Sequence, residues 1–346
     1  MIQNVLDLSL VEWQEFFQSI DEPVYRAKQL WEGLHKHQFD QPDQFSAIPK
    51  GLREKIQLRY AFTSVKPGSE LCSQDGSTRK LSFILNDNRV IETVLMRYDM
   101  RNTVCVSTQA GCAMGCVFCA TGQMGFMRNL SAGEIIEQVY HFVRYLKQEE
   151  QRVTNIVFMG MGEPFHNYDA VMKAIEILND PQGFNLGQRH MTISTVGLIP
   201  GIQKFASERR QVNLAISLHA ADDQLRTSMV PINKKYPLVE LLDACREYVH
   251  ITGRRVTFEY ALIQDVNDSV EHANRLAGLL KGMICHVNVI PLNPTKKYPG
   301  KATTRERAQA FQKVLQDAGI PCTIRLRRGI EIQAGCGQLA SESAVI

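Results

Sequence analysis

The chain has 346 residues, 44% of them hydrophobic, which is enough for a large buried core and excludes a disordered protein. Its longest apolar runs, such as Asn155–Met161, are much shorter than a membrane span, and Met1–Gln18 is acidic rather than signal-like. The net charge of +3 by itself indicates no nucleic-acid partner. We therefore expect a soluble, cytoplasmic protein with no membrane contact, built from one large catalytic domain and a smaller one.

The first part of the chain is predicted to be helical over residues 1–60. Apolar residues recur there at three- and four-residue steps in Asp7–Ser19, Pro23–His37 and Ile48–Tyr60. Residues 61–97 change to alternating segments, Lys80–Asn86 and Arg89–Arg97, which are separated by the turn-forming sequence Asn-Asp-Asn at 86–88. This pattern predicts a β-hairpin that links the helical domain to the rest of the chain.

Residues 98–346 alternate short strand-like segments with longer helical ones. The predicted strands are Thr103–Thr108, Asn155–Met161, His190–Val196, Gln211–Leu218, Arg255–Ile263, Cys285–Pro291 and Cys322–Leu326. The predicted helices include Ser131–Gln148, Tyr168–Asn179, Pro237–Ile251, Asp268–Leu280 and Thr303–Ala318. The alternation is typical of parallel β/α units and predicts an α/β fold, a partial (β/α)6 barrel whose chemistry lies at the carboxyl ends of its strands.

Three of the nine cysteines, Cys112, Cys116 and Cys119, lie within eight residues. No secretory signal precedes them, so metal ligation or redox chemistry is favoured over disulfides. Three thiolates on one loop suit an iron-sulfur cluster and would leave one iron of a 4Fe-4S cluster open. Zinc is the alternative, but a closed structural zinc site needs four ligands and the local sequence supplies three.

A CxxxCxxC motif directly after the first strand of a β/α series resembles the radical S-adenosylmethionine superfamily. The resemblance implies that the open iron binds the methionine end of the cofactor, which is cleaved reductively to a 5′-deoxyadenosyl radical. The segment Met159–Pro164 resembles the glycine-rich segment that receives the methionine ammonium group in that superfamily. In it, Gly162 allows close backbone approach and Glu163 supplies a negative charge.

A closer resemblance, to the RlmN/Cfr family of adenosine methyltransferases, covers most of the chain. The motifs that carry it are Cys105–Cys112, Cys119–Gly122, Met159–Pro164, Ile193–Thr195, Ile216–His219, Val230–Tyr236, Ile290–Asn293 and Ala334–Leu339. Two N-terminal segments, Tyr25–Trp31 and Ile48–Arg53, resemble the helical accessory domain that is more typical of the RlmN branch. The resemblance implies an RNA-binding accessory domain at 1–60, an extension at 61–97 and a radical S-adenosylmethionine core at 98–346.

The family resemblance also implies a mechanism that uses two further cysteines. Cys336 would accept a methyl group from one cofactor molecule, and a radical made from a second molecule would abstract hydrogen from that methyl group. After the carbon radical adds to adenine, Cys105 would form a transient disulfide with Cys336 and release the product. Glu92 lies where the family places a base, although strand alternation would equally allow a solvent-facing carboxylate.

Other residues match the family's cofactor contacts. They are Ser194, Ser217, Leu218, His219 and Asn293, whose hydroxyl, amide and backbone groups suit a ribose and a carboxylate. We interpret His219 as a structural residue rather than an acid-base catalyst. We also expect Cys72, Cys245, Cys285 and Cys322 to be small buried hydrophobic side chains.

One stretch of the chain is strongly basic. Pro291–Gly329 carries nine Lys and Arg against Glu306 and Asp317, a local excess of seven positive charges that could line a phosphate backbone. A solvated helix face is the alternative. The resemblance implies 23S ribosomal RNA, and some transfer RNAs, as partners, with an electron donor such as flavodoxin or ferredoxin and a monomeric enzyme.

We expect the reaction to form 2-methyladenosine at adenosine 2503 of 23S ribosomal RNA and at adenosine 37 of some transfer RNAs. The first alternative is a Cfr-like enzyme that methylates carbon 8 of the same ribosomal adenosine. The second is an RNA-binding protein whose iron-sulfur cluster is only structural. Cys105 and Cys336 argue against that second alternative, because a purely structural protein has no evident use for them.

Overall fold

The computed structural model describes residues 2–325 and 327–340. Its N-terminal part is a small helical module closed by a short parallel pair of strands. The module consists of β1 (Gln3–Asn4), α1 (Leu10–Ser19), α2 (Tyr25–Trp31), α3 (Lys50–Gln57) and β2 (Tyr60–Ala61). A π-helical turn, Glu32–Lys36, continues α2, so the helical segment ends one residue before the predicted end at His37.

Local sequence explains where α1 begins and which face it buries. The Ser9 hydroxyl accepts from the Glu12 backbone N–H, and the Glu12 carboxylate accepts from the Ser9 N–H at 2.6 Å. This reciprocal pair satisfies two backbone donors at the helix start. Trp13 and Phe17 are fully buried, and Trp13 meets the Tyr60 ring of β2 edge-on at 5.0 Å. The aromatic residues at three- and four-residue spacing therefore form the core of the module.

The predicted hairpin is part of a larger antiparallel unit. It consists of β3 (Val65–Cys72), β4 (Thr78–Leu85) and β5 (Val90–Tyr98), and β5 pairs in turn with β6 (Arg101–Cys105). The hairpin prediction missed β3, an edge strand that is exposed at every position after Val65 and so lacks alternation. A break in register between Pro67 and Glu70 further obscures its pattern.

The remaining strands are β7 (Gln109–Gly111), β8 (Phe126–Asn129), β9 (Asn155–Phe158), β10 (Met191–Thr195), β11 (Asn213–Ser217), β12 (Val256–Leu262), β13 (Cys285–Pro291) and β14 (Cys322–Ile324). One ten-stranded sheet has the order β14-β13-β12-β11-β10-β9-β6-β5-β4-β3, and β6 and β9 to β14 are parallel. Among the described residues no pairing joins β14 to the other edge, so the barrel is partial, as predicted. The predicted strand end at Leu326 lies outside the described residues.

Helices alternate with the parallel strands along the chain. They are α4 (Ala120–Met124), α5 (Ala132–Lys147), α6 (Tyr168–Asn179), α7 (Ile199–Ser207), α8 (Asp223–Met229), α9 (Leu238–Thr252), α10 (Val270–Leu280) and α11 (Arg305–Asp317). Nowhere in residues 2–325 and 327–340 is a helix long and apolar enough to cross a membrane.

Helix α5 attaches the N-terminal module to the barrel through buried polar contacts. The Glu137 carboxylate accepts from the Ser64 backbone N–H at 2.7 Å, and Asp7 accepts from the Gly133 N–H at 2.7 Å. The ring of His35, which is fully buried, lies 2.8 Å from the Tyr140 hydroxyl. Because unmade hydrogen bonds at buried groups are costly, these contacts favour one fixed position of the module on the core.

Candidate active site

The three clustered cysteines lie on a loop between β7 and α4, above the carboxyl ends of the parallel strands. All three have free thiols and line one cavity, which we call the cysteine cavity. The Cys112 N–H donates to the Gly125 carbonyl at 2.9 Å, and the Val117 N–H donates to the Met229 carbonyl at 3.0 Å. These bonds hold both ends of the loop against neighbouring elements.

Gly111, at the start of this loop, cannot be replaced by a larger residue without movement. Its φ is +72°, and a Cβ atom there would lie 1.9 Å from the Gly125 carbonyl oxygen. That carbonyl is the acceptor for Cys112, so the close approach of β7 and β8 and the position of the first cysteine depend on the same glycine.

The donor set of three thiols that line one cavity fits an iron-sulfur cluster. Within the described ranges, no three His, Cys, Asp or Glu side chains form a group that could hold one metal ion. Three thiols around a shared cavity instead suit a cluster in which each sulfur binds a different iron. Burial raises the pKa of Cys112 to about 12 and that of Cys116 well above its usual value, so iron binding would have to displace their protons.

The glycine-rich segment after β9 lies in the same cavity, which Gly160, Gly162 and Glu163 all line. Its glycines are required by packing within the protein. A Cβ atom on Gly160 would lie 2.7 Å from the Val106 carbonyl oxygen, and one on Gly162 would lie 2.6 Å from the Gln109 Cβ. The segment therefore packs directly on the chain between β6 and β7, which positions Glu163 beside the cysteine loop.

Glu163 is buried and is not ion-paired within the part of the chain that the structure describes. Its carboxylate accepts from the Val196 and Phe165 backbone N–H groups at 2.9 and 3.0 Å. Burial raises its pKa to about 7, which these hydrogen bonds only partly oppose. A buried carboxyl group that lacks a cation suits the ammonium group of a bound amino acid.

The predicted cofactor contacts meet at this cavity with one exception. Ser194 and Ser217 line it from neighbouring strands, with their hydroxyls 3.4 Å apart, and the buried Asn293 Oδ1 has no hydrogen-bond partner. Leu218 does not line the cavity. It is fully buried, and its N–H donates to the Glu259 carbonyl at 3.0 Å.

His219 lines the cavity but has a structural partner. Its Nδ1 accepts from the Ala261 backbone N–H at 3.0 Å, and its φ is +63°. Burial lowers its pKa to about 3, so the ring stays neutral. These contacts agree with the structural interpretation of His219 and leave it poorly suited to acid-base chemistry near neutral pH.

Cys105 and Cys336 share a second space, the Cys105–Cys336 pocket, and Cys336 also lines the cysteine cavity. Both thiols are free. Burial, together with the neighbouring Cys336 sulfur, raises the pKa of Cys105 to about 12. Cys336 is therefore the point where the two spaces meet.

Backbone contacts hold the Cys336 loop beside the cluster-binding loop. The Asn293 amide donates to the Cys336 carbonyl at 3.1 Å, and the Ala120 N–H donates to the Gly337 carbonyl at 2.7 Å. The Thr121 hydroxyl donates to the Leu339 carbonyl at 2.6 Å. Because Ala120 directly follows Cys119, the two loops are joined across more than 200 residues of sequence.

Arg325 is a site residue that sequence reasoning placed only within the basic stretch. Its Nη1 donates to Cys336 Sγ at 3.3 Å, and its Nη2 approaches the Met96 sulfur at 3.8 Å. A guanidinium at this distance stabilises negative charge on the sulfur. The contact could not be predicted from the sequence, because Arg325 and Cys336 are 11 positions apart in a segment with no regular helix or strand pattern.

Glu92 is buried rather than solvent-facing. Its Oε1 lies 2.9 Å from Lys80 Nζ, and its Oε2 accepts from the Ala340 N–H at 2.9 Å. It does not line the Cys105–Cys336 pocket, but it faces the same side of β5 as Val94 and Met96, which do. Lys80 was not predicted as a site residue, because only the β4–β5 pairing brings it to Glu92.

One sequence prediction needs correction. Cys72 is exposed, because it ends the edge strand β3, whereas Cys245, Cys285 and Cys322 are buried as expected.

The two alternatives for the basic stretch apply to different parts of it. Arg307 pairs with Asp265 and Asp268, and Lys313 pairs with Asp317, while Arg325 and Arg328 point to the barrel interior.

The partial barrel and its three-cysteine loop define a radical S-adenosylmethionine enzyme. A model of the Radical SAM superfamily matches residues 106–277, and a model described as the ribosomal RNA large subunit methyltransferase N-terminal domain matches residues 3–61. A crystal structure of a radical SAM methyltransferase from Sphaerobacter thermophilus has a TM-score of 0.96 and 48% identity, covering 98% of this chain and 100% of that one.

Curated relatives give the family. A probable dual-specificity RNA methyltransferase RlmN from Chloroflexus aurantiacus is 49% identical over 98% of this chain and 93% of its own length. One of the same name from Thermoanaerobacter pseudethanolicus is 46% identical over 97% of each chain. This chain belongs to the RlmN family of radical S-adenosylmethionine RNA methyltransferases. Its superfamily implies a 4Fe-4S cluster and S-adenosylmethionine as cofactors.

Proposed function

We propose that this enzyme forms 2-methyladenosine at adenosine 2503 of 23S ribosomal RNA and at adenosine 37 of some transfer RNAs. The observation that carries the proposal is the position of Cys336, which lines both the cysteine cavity and the pocket that holds Cys105. The relatives named as probable dual-specificity RNA methyltransferases support action on more than one RNA, and the match of residues 3–61 to a ribosomal RNA methyltransferase N-terminal domain supports a ribosomal one. Such substrates would place the enzyme in the cytoplasm.

The cofactor would be held by the residues that line the cysteine cavity. Cys112, Cys116 and Cys119 bind the cluster, and Glu163 receives the methionine ammonium group. The hydroxyls of Ser194 and Ser217 and the unpartnered Oδ1 of Asn293 bind polar groups of the cofactor. These residues would hold S-adenosylmethionine at the cluster, where it would serve both as methyl donor and as the source of a hydrogen-abstracting radical, with two molecules used in each turnover.

Cys336 carries the carbon that is transferred. Its Sγ, next to the Arg325 guanidinium, would lose its proton and take the methyl group as S-adenosylhomocysteine leaves, so that the side chain becomes a thioether. Loss of a hydrogen atom from that methyl group leaves a carbon radical on the Cys336 side chain, which adds to C2 of adenine. Glu92 then accepts the C2 proton, and the radical adduct passes one electron to the oxidised form of the external redox partner, flavodoxin or ferredoxin, which leaves a closed-shell thioether between Cys336 and C2.

Cys105 releases the product. Its sulfur attacks Cys336 Sγ, a disulfide forms, and the bond from Cys336 Sγ to the transferred carbon breaks. The electron pair stays with the base, which takes up a proton to complete its new methyl group. An external donor such as flavodoxin or ferredoxin supplies electrons for radical formation and reduces the disulfide.

The remaining parts of the chain would serve RNA binding. We assign residues 1–60 to an RNA-binding accessory domain, 61–97 to the extension and 98–346 to the catalytic core, and we propose a monomeric enzyme. The α3 residue Lys50 is exposed and could contact RNA phosphates, and Lys55 of the same helix is exposed but lies 3.8 Å from the Glu22 carboxylate.

Mass spectrometry of digested RNA tests the proposed reaction. Ribosomal and transfer RNA fragments would be isolated from cells with and without the gene and incubated with the purified enzyme. We expect 2-methyladenosine to depend on the enzyme in both RNAs. Enzyme-dependent 8-methyladenosine would instead indicate carbon-8 methylation, and unchanged methyladenosine levels would refute the proposal.

A further inference from the structure

A large open cavity lies at the end of the barrel opposite the cysteine loop. The amino-terminal ends of the parallel strands surround it, and its volume is about 840 Å³. Inward-facing polar residues at the beginnings of the strands, including Thr103, Asn155 and His286, form its wall. We call this cavity the barrel mouth and define it by its cations, Arg101, Arg189, Arg254, Arg255, Arg325 and Arg328.

None of these six arginines forms an ion pair with Asp or Glu in the described ranges, whereas Arg97, Arg128, Arg210 and Arg307 elsewhere do. Two of them still feel a carboxylate charge, because Glu259 interacts electrostatically with Arg325 and Asp75 with Arg328. Glu259 is the single acidic residue that lines the mouth. The mouth therefore keeps a strong excess of positive charge, which attracts polyanions.

Two of the six mouth arginines, Arg189 and Arg254, share one uncharged hydrogen-bond acceptor at the rim of the mouth. The Gln211 Oε1 accepts from Arg254 Nη1 at 3.0 Å and from Arg189 Nη2 at 3.3 Å. Like charges on one acceptor repel each other, and an anion between them would relieve that repulsion. This arrangement suits a bridging phosphate oxygen.

The rim also carries a surface on which a base can stack. The Tyr98 ring lies 4.3 Å from the Arg101 guanidinium and 4.6 Å from that of Arg328. Met100, two residues after Tyr98, is 92% exposed at the turn between β5 and β6. Aromatic rings and guanidinium planes of this kind bind unstacked bases of single-stranded RNA.

The mouth leads to the reactive cysteines. Tyr98, Met159, Arg325 and Arg328 line both the mouth and the Cys105–Cys336 pocket. A group that enters through the mouth therefore reaches the pocket that holds Cys105 and Cys336, and Met159 and Glu259 lie between the mouth and the cysteine cavity. Nucleotide and cofactor could then reach the same sulfur without competing for space.

We propose that the barrel mouth is where the target nucleotide of a single-stranded RNA loop enters, with the flanking phosphates held by the rim arginines. This inference rests on the proposed function, because it assumes that an RNA base must reach Cys336. A base inside a helix is inaccessible to such a pocket, so the nucleotide must leave its stack. The unpaired arginines on either side of the mouth provide the contacts that offset this unstacking.

Salt-dependent binding of a stem-loop RNA tests the mouth. The variant R101Q/R189Q/R255Q removes three exposed rim cations. The matched control, K204Q/R246Q/R275Q, removes the same charge from the outer helices α7, α9 and α10. We expect the mouth variant to bind about 10–100-fold more weakly and to lower the slope of log Kd against log salt by about 2, since each phosphate contact contributes about 0.7. Equal slopes and affinities in the two variants would overturn the inference.

Two further measurements separate this inference from the proposed function. Methyl loading of Cys336 needs no RNA, so both variants should load normally, which shows that they are folded. If the wild-type enzyme methylates no RNA but its RNA binding still depends on the rim arginines, the proposed reaction is wrong and the proposed RNA entry site is still supported. If the mouth variant methylates dilute RNA as fast as the wild-type enzyme, the proposed RNA entry site is wrong and the proposed reaction is still supported.

Photo-crosslinking of the wild-type enzyme gives an independent check that needs no variant. The RNA would carry 4-thiouridine next to the target adenosine. We expect adducts within Tyr98–Arg101, at the rim of the mouth. Adducts confined to the accessory domain or to the outer helices would contradict the proposed entry.

Discussion

At the scale of single residues, Cys336 differs from the other cysteines because reactive groups lie on both sides of its side chain. One side is the cavity of the three clustered cysteines, and the other holds Cys105 and the Arg325 guanidinium. A thiol used only as a small hydrophobic side chain needs neither. This environment leads to different predicted effects for the substitution of each cysteine.

We expect Cys336→Ala to abolish methyl transfer while the visible absorbance of the cluster remains, and Cys112→Ala to lose both. Cys105→Ala should accumulate protein covalently linked to RNA, because the adduct on Cys336 can no longer be released. Absorbance spectra and denaturing gels measure these outcomes. Cys72→Ser is the matched control, since this exposed thiol lines neither the cysteine cavity nor the Cys105–Cys336 pocket and should leave every readout unchanged. Product formation by the Cys336 variant would disprove the mechanism.

Arg325 should set how fast Cys336 accepts its methyl group. A charged hydrogen bond contributes about 1.5–3 kcal/mol, so Arg325→Met should slow Cys336 methylation by about 10–100-fold. Arg325→Lys keeps the charge but not the fork of donors, and should fall between Met and wild type. Mass spectrometry of the Cys336 peptide over time gives the rate. Arg327→Met is the control, because Arg327 lines the same pocket, and an equal loss in both variants would rule out a specific role for Arg325.

At the scale of elements, the cysteine loop depends on how closely β7 and β8 approach each other. Gly111→Ala would place a Cβ atom 1.9 Å from the Gly125 carbonyl that accepts from Cys112. We expect this variant to fold but to bind clearly less iron and sulfide per protein, because the loop can no longer close. Iron and sulfide analysis after anaerobic reconstitution measures the loss.

Gly76→Ala separates the clash from backbone strain. Gly76 has a similar φ of +69°, compared with +72° at Gly111, but nothing lies within 4 Å of its added Cβ. Both variants should lose some stability from the left-handed conformation, and only Gly111→Ala should lose the cluster. Equal iron content in the two variants would mean that the approach of the two strands does not hold the loop.

The strands also show which parts of the fold could be predicted from the sequence. The parallel strands were predictable because buried strands read as short apolar runs between helical periods, and all seven appear close to their expected positions. β3 was not predictable, because it is an exposed edge strand interrupted by Pro67 and Gly68 and therefore shows no alternation of apolar and polar residues. The Lys80–Glu92 pair was hidden for a related reason, since it exists only through the register between β4 and β5.

At the scale of the whole molecule, the barrel has two chemically different ends. Its carboxyl end presents thiols, a buried carboxyl group and hydroxyls, which suit a cluster and a zwitterionic cofactor. Its amino end presents unpaired arginines, which suit phosphates. The residues at the first end lie in contiguous motifs and could be predicted from the sequence. The arginines come one or two at a time from separate segments, so only folding brings them together.

The central claim is that the transferred carbon passes through Cys336, and isotope labelling tests it most directly. The enzyme would be supplied over several turnovers with S-adenosylmethionine whose methyl group carries three deuterium atoms. Because one hydrogen is abstracted on Cys336 and a solvent proton completes the product, we predict a methyladenosine that retains two deuterium atoms. A product that retains all three would show direct methyl transfer and contradict the account.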